Sequence, residues 1–336
     1  MRRALALLAL LAATAHAQAQ KPGPVRIRAV GDLAFYWQFG EAIASTDFDP
    51  FAALNGALGD ADLSFANLET VLSKAPAPRG VAEKPGVPLI RGPARAAQLT
   101  ARAGVDVVSV ANNHAFDFGA AGLTDTLAET ERAGLVAIGA GATAEAAARP
   151  HIVTLRGLKI GVLAFAEKSN HPANGKAVLH KLEQAEAAVR ALRPQVDVLV
   201  ISIHWGVQYQ LRPTKKQVAL AHTLIDAGAD ALIGHHPHVL QTIEAYRGHP
   251  IFYSLGNFAF GTQPVPRNLS AIVELEVEAR KVRRVTVLPV VLRGERGSPT
   301  ISLGSEGDPV RKRLREASVR GAFAERDGML DLVLAP

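Results

Sequence analysis

Short apolar runs separated by amphipathic stretches organise most of this chain. Residues 25–30, 63–68, 105–111, 135–138, 159–165 and 196–203 are rich in Val, Ile and Leu and flanked by Gly, Asp and Asn. Runs this short, apolar at successive positions, predict strands buried on both faces. Between them, residues 94–103, 122–133, 181–192 and 215–227 place apolar residues at helical spacing, and the last meets Gly228, a helix stop. The alternation predicts an α/β fold with a largely parallel or mixed sheet. Past Gly234 the pattern changes. Residues 239–245, 251–255, 272–277 and 282–291 follow one another with turns and no long helix, which predicts a β-rich C-terminal half stacked on the α/β half.

The Pro- and Gly-rich stretches 75–88 and 261–268 are too short for domain linkers, and no internal repeat is present. Residues 25–300 are therefore expected to form one domain. Residues 301–336, with a charged helix from Asp308 and a terminal apolar strand, are expected to pack on it. Residues 1–19 are set apart: Arg2 and Arg3 precede an apolar run, and Ala15-His16-Ala17 has small–x–small spacing, the pattern of a cleaved secretory signal. The run is too short to span a bilayer. The mature chain is thus expected in the periplasm or medium, without a transmembrane anchor.

Composition narrows the picture. At 48% hydrophobic and 20% charged residues the 336-residue chain is globular. It has no cysteine, which excludes disulfides and a cysteine-linked lipid anchor. A formal charge of +6 implies an anionic partner. Nucleic acid is excluded, because no basic run is interleaved with aromatics.

Polar residues collect where strands end, the position at which open α/β sheets place their sites. Gly31-Asp32, Asn67-Leu68-Glu69, Asn112-Asn113-His114 with Asp117, His204-Trp205-Gly206 and the loop "GHHPHVLQ" from Gly234 each follow an apolar run. Taken singly, the first is a common turn, Asn67 and Glu69 are caps of a following helix, and His204 is a core histidine. The histidine loop resists such a reading. In an extended segment His236 and His238 point to the same side, Pro237 stiffens the backbone between them, and His235 points elsewhere. Two converging imidazoles chelate a cation, and the Asp, Glu, Asn and His set suits Mn, Fe or Zn. Gly139-Ala-Gly141-Ala-Thr-Ala144 also fits a loose dinucleotide fingerprint. It lies in mid-chain, however, with no acidic residue closing the next strand.

In order, "GD" at Gly31, "NLE" at Asn67, "ANNHAFDFG" at Ala111, "HWG" at His204, "GHHPHVLQ" at Gly234 and "YSLGNFAF" at Tyr253 resemble the CapA-type poly-γ-glutamate capsule synthesis proteins. The resemblance covers about residues 27–261. That family is similar to the calcineurin-like metallophosphoesterases, which implies a four-layer α/β/β/α sandwich around one or two divalent ions. It further implies Asp32, Glu69, Asn113, His204, His236 and His238 as metal ligands. His114, with Asp117, would be the catalytic acid; Asn67, Arg91, Gln208, His235 and Asn257 would bind substrate. Three positions depart from the wider pattern: Ala34 replaces a histidine, Glu69 an aspartate and Gln208 a glutamate. Lys84 and Arg212 join Arg91 as candidate anion-binding cations. Two functions follow. One is an exported metal-dependent hydrolase acting on phosphoester or amide bonds of an anionic substrate. The other is a non-catalytic, polymer-binding component working beside membrane-bound polymer synthase subunits.

Overall fold

The computed structural model describes residues 23–78, 87–319 and 321–334. The expected signal segment and Lys84 lie outside the described residues. Two sheets, ten-stranded and six-stranded, face each other. In the first, Val25–Leu33 runs parallel to Leu63–Leu68, followed by Val107–Ser109 and Val136–Ile138. On its other side lie the antiparallel strands Leu269–Glu278 and Lys281–Arg293. The second sheet places Leu158–Ala166, Val198–His204 and Ala231–His235 in parallel register, flanked by His151–Leu155 on one side and the hairpin Ile243–Tyr246 and His249–Phe252 on the other.

Alternation along each strand of the second sheet divides its side chains between two layers. Val162, Ala164, Val200 and Ile233 face inward and join the core of the first sheet. Leu163, Phe165, Leu199, Ile201 and Leu232 face outward under the helices Ala185–Leu192 and Lys215–Asp226. Helices Trp37–Ser45, Arg95–Arg102 and Gly119–Arg132 bury Phe39, Ile43, Leu99 and Leu123 in the core of the first sheet. The result is a four-layer α/β/β/α sandwich. Truncating an inward residue such as Ile233 to alanine costs about 2–5 kcal/mol, the cavity term included.

The β-rich C-terminal half is present, and its strands are shared between the two sheets instead of forming a layer of their own. Residues 239–242 lie in the loop, so the strand expected from 239 begins at Ile243. No helix follows Asn67 and Glu69; the chain continues to a bridge between Val71 and Arg91. The fingerprint-like stretch is a two-residue strand, Ala140–Gly141, and a five-residue helix, Ala144–Ala148, whose first turn is capped by the Thr143 side chain. The tail carries the helix Asp308–Ala317 and the hairpin Phe323–Arg326 and Met329–Leu332, which extends the edge of the first sheet.

Candidate metal centre

Register brings the strand ends together. Asp32 lies opposite Asn67 on one neighbour and Asn257 on another, while His204 lies opposite His235 in the second sheet. Close backbone approach makes this possible. Gly31 and Gly234 carry no side chain because a Cβ there would overlap the carbonyl oxygens of Gly256 and Tyr253. The Asp32 amide then donates to the Gly256 carbonyl at 2.9 Å. Past His204, Thr214 and Gln217 form a reciprocal capping box that starts the helix Lys215–Asp226 and fixes the loop's exit.

Glu69 sits at the focus. Its Oε1 lies 3.5 Å from His204 Nε2, 3.8 Å from His238 Nε2 and 4.0 Å from His114 Nε2. Atoms of Glu69, His204 and His236 fall within 4.8 Å of one another, as do those of Asp32, Glu69 and His238. Two overlapping trios thus share one carboxylate. Asn113 Oδ1 stands 2.6 Å from His204 Nε2. Asn67 donates Nδ2 to Asp32 Oδ1 at 2.8 Å, and Asn257 Oδ1 lies 3.0 Å from His238 Nδ1. These two amides hold ligands in place; Asn257 also lines the smaller cavity beside His238, whereas Asn67 is not among the residues lining either cavity.

The histidine loop differs from the extended segment expected of it. His236 and His238 both have positive φ, 96° and 58°, so the backbone turns back at each. Their rings converge, 5.8 Å between centroids, by this turn and not by strand alternation. His235 does not point elsewhere: it ends the strand Ala231–His235, is fully buried, and places Nδ1 3.2 Å from Asp32 Oδ1. Ala34 packs among Ile90, Phe260 and Leu292, so no ligand replaces the missing histidine at that position.

Electrostatics favour a cation. Both Glu69 oxygens are buried without a hydrogen-bond partner, as are both ring nitrogens of His236. An unpaired buried carboxylate costs several kcal/mol. Burial, then the charges of Asp32 and Asp117, hold the Glu69 carboxyl well above the usual carboxylate range. Burial also opposes ionisation of Asp32, but hydrogen bonds and charge from His235 and His238 outweigh it and keep Asp32 well below that range. Burial and the neighbouring His236 hold His204 well below the ordinary imidazole value, and burial with His238 brings His236 to about 3. The neutral imidazoles of His204 and His236, with lone pairs beside a carboxylate that lacks donors, are the donor set of a divalent N/O site.

Beside the cluster, His114 Nδ1 pairs with Asp117 Oδ2 at 2.7 Å, and that oxygen also accepts the Ile90 amide at 2.7 Å. Asp117 therefore orients the ring with Nε2 toward Glu69. A cavity of about 240 Å³ opens here, lined by Asn113, His114, Lys168, Asn170, Gln208 and His236. A smaller one of about 60 Å³ adjoins His238 and includes Tyr36, Gln208, Tyr209 and Arg267. Gln208 faces both. Arg91 does not reach the cluster: its guanidinium stacks 4.0 Å over Phe118 and donates to the Ala75 carbonyl. Arg212 donates to the Glu316 carbonyl at the surface. The cations at the mouth are instead Lys168 and Arg267. The signal for Lys168 and Asn170 is in the sequence, since Glu167-Lys168-Ser169-Asn170 follows a strand end like the other motifs. Nothing in the sequence brings Arg267 near His238.

Comparison with known proteins agrees with this arrangement of motifs. The profile of the family described as bacterial capsule synthesis protein PGA_cap matches residues 26–262. The chain is 30% identical to the capsule biosynthesis protein CapA of Bacillus anthracis over 241 residues, 69% of this chain and 59% of that one. It is 34% identical to the PGA biosynthesis protein CapA of Bacillus subtilis over 197 residues, 55% and 50% of the two chains. A Mycobacterium tuberculosis protein named "Probable polyglutamine synthesis accessory protein" is 34% identical over 238 residues, 66% and 59%. The alignments thus span between half and three fifths of these relatives' lengths. With its strand-end motifs gathered at one buried centre and the profile spanning them all, the chain belongs to the bacterial capsule synthesis protein family PGA_cap.

Proposed function

We propose that the protein is a metal-dependent hydrolase serving capsular poly-γ-glutamate metabolism, acting on a phosphoester or amide bond of an anionic substrate. The observation that carries this reading is the His114–Asp117 pair, 2.7 Å apart, with His114 Nε2 4.0 Å from Glu69 Oε1. A site that only holds polymer has no use for an oriented proton donor. Asp32, Glu69, Asn113, His204, His236 and His238 would hold a divalent ion, which when bound would supply Lewis acidity at the bond under attack. Asp117 keeps the proton of His114 on Nδ1 and exposes Nε2, which in its protonated form donates to the leaving atom. Lys168 and Arg267 draw the anionic substrate to the mouth, and Asn170, with Nδ2 3.4 Å from His114 Nε2, fixes the approach.

Export of the chain, with cleavage after Ala17 or Ala19, belongs to the same proposal and is checked by N-terminal sequencing from the native host. No helix among the described residues is long and apolar enough to cross a membrane. The activity is tested with bis(p-nitrophenyl) phosphate and a γ-glutamyl anilide, using purified chain stripped of metal and reloaded with Mn, Zn or Fe. Metal-dependent release of nitrophenol or aniline supports the hydrolase. Absence of turnover on either compound with every metal supports the polymer-binding alternative.

A further inference from the structure

A row of rings leads away from the metal centre. His238 lies 4.9 Å from Phe260, Phe260 5.7 Å from Tyr36, and Tyr36 4.8 Å from Trp37, all between ring centroids. The row runs outward, from Phe260 at 8% exposure to Trp37 at 63%. Cavities follow it. The small one beside His238 shares Tyr36, Phe260 and Gln263 with a second of about 650 Å³, and that one shares Trp37 with a third of about 650 Å³. In series these adjoining cavities outline a groove from beside His238 to the surface around Trp37.

Trp37 is held at φ 48°, in the left-handed region, which costs a residue with a Cβ about 1–2 kcal/mol. A side chain left 63% exposed recovers little of that by burial. Its position is explained by what the indole presents to solvent. The groove's charges add a second, independent observation. Arg267 stacks over Tyr209 at the inner end and Arg296 over Phe48 midway, each 4.9 Å from the ring centroid, and Lys74 and Arg91 line the outer end. None of the four has a carboxylate partner among the described residues. Of the acids along the groove, Glu129 pairs with Arg132, which leaves Glu41, Asp125 and Glu295 against the four cations.

We propose that this groove is an extended binding track for a carboxylate-bearing polyamide, the poly-γ-glutamate chain itself, with Trp37 as its distal platform and Arg296 as a mid-track carboxylate contact. The track rests on the same substrate class as the hydrolase reading and adds where the unreacted length of the chain lies. Carboxylates meet Arg267, Arg296, Lys74 and Arg91 in turn, and Gln38 and Gln263 offer amide partners to the polymer backbone. Of the track's four cations, a γ-linked dimer seated at the metal centre meets only Arg267, whereas a longer oligomer reaches Arg296 and Trp37.

Calorimetric titration with synthetic γ-linked glutamate oligomers tests this without any turnover. A hydrolase with no track fails it, and a track on a protein that hydrolyses nothing passes it. Parent protein is expected to bind an oligomer of about ten residues at least tenfold more tightly than a dimer, because the added contacts share one association cost. Trp37→Ala and Arg296→Ala should each weaken the long oligomer by about tenfold, the size of one interface anchor, and Trp37→Phe should restore most of the loss. Since Trp205 is buried at 1% exposure, indole fluorescence that responds to the long oligomer and not to the dimer reports Trp37. Equal affinity for long and short oligomers, or full affinity for the long one in both alanine variants, overturns the track. A neutral polysaccharide that competes with the oligomer as well as a polyanion does would overturn its carboxylate selectivity.

Discussion

Two carboxylates, Glu69 at the metal centre and Asp331 at the sheet edge, meet burial in opposite ways. Asp331 accepts from Arg284 Nη2 at 2.9 Å, from Arg326 Nε at 3.1 Å and from Thr286 Oγ1 at 2.8 Å. Burial raises its pKa, but these three donors outweigh that and hold it at about 2. Glu69 has no donor at either oxygen and is pushed up. A carboxylate that serves the fold carries its own donors in the chain. One left without them, beside the neutral imidazoles of His204 and His236, is the kind of group that a bound cation satisfies.

The contrast is broken first by removing the ligands. The double variant His236→Ala/His238→Ala should lose divalent metal altogether while circular dichroism shows the fold intact. Metal retained at parent stoichiometry would mean that the loop orders something else. For the parent, metal in hundredfold excess over its dissociation constant should add about 2.7 kcal/mol of stability, read as a Tm shift that chelation reverses and that the double variant lacks.

His114→Ala sharpens the distinction between holding a metal and using it. The variant removes a proton donor and leaves every ligand atom in place, so metal content should persist while turnover of the anilide falls by about a hundredfold or more. Equal turnover would take His114 out of the chemistry.

Much of this was legible in sequence, and the failures are local. The strand Leu63–Leu68 is bounded correctly because Leu63, Phe65, Ala66 and Leu68 mark it as a short apolar run. The helix Trp37–Ser45 is not: it contains Gly40, starts at a left-handed tryptophan and has no capping side chain, so composition does not mark it. Residue types at strand ends pick out the side chains that gather in the buried cluster, because strand register brings those ends together whatever the loop does. The loop's backbone is another matter. Positive φ at His236 and His238 follows from packing against Asp32, whose Oδ2 accepts the His236 amide at 3.3 Å, a partner 204 residues distant in sequence. For the same reason Arg267 is invisible from sequence and Arg91 misleading: nearness in the chain says little about which cation shares a cavity.

Gln208→Glu tests the pocket on a finer scale. Gln208 lines both cavities beside the cluster, so a carboxylate there adds negative charge near the ligands and repels an anion at the mouth. Metal affinity should rise, and affinity for a γ-glutamate oligomer should fall, each by about three- to tenfold, as for a charge change at a partly screened site. No change in either titration would separate Gln208 from the centre.

The smallest effect belongs to the edge. Asp331 has a folded pKa of about 2, below the ordinary carboxylate value, so its stabilisation is full above the unfolded pKa and is lost as pH falls from about 4 toward 2. Solvent screening at the sheet edge reduces it to about 1 kcal/mol. Asp331→Asn should lower stability by that amount at pH 7 and by nothing near pH 2, checked by urea unfolding at both, with metal content unchanged.

The most direct measurement sets the two carboxylates side by side: metal content by plasma mass spectrometry after dialysis against Mn, for Glu69→Gln and Asp331→Asn. Glu69→Gln keeps the shape and removes the shared charge of the two trios, so it should lose most or all bound metal, while Asp331→Asn and the parent should each carry about one to two ions per chain. Equal metal in Glu69→Gln and the parent would contradict the account, because the buried carboxylate without donors would then owe its state to something other than a cation.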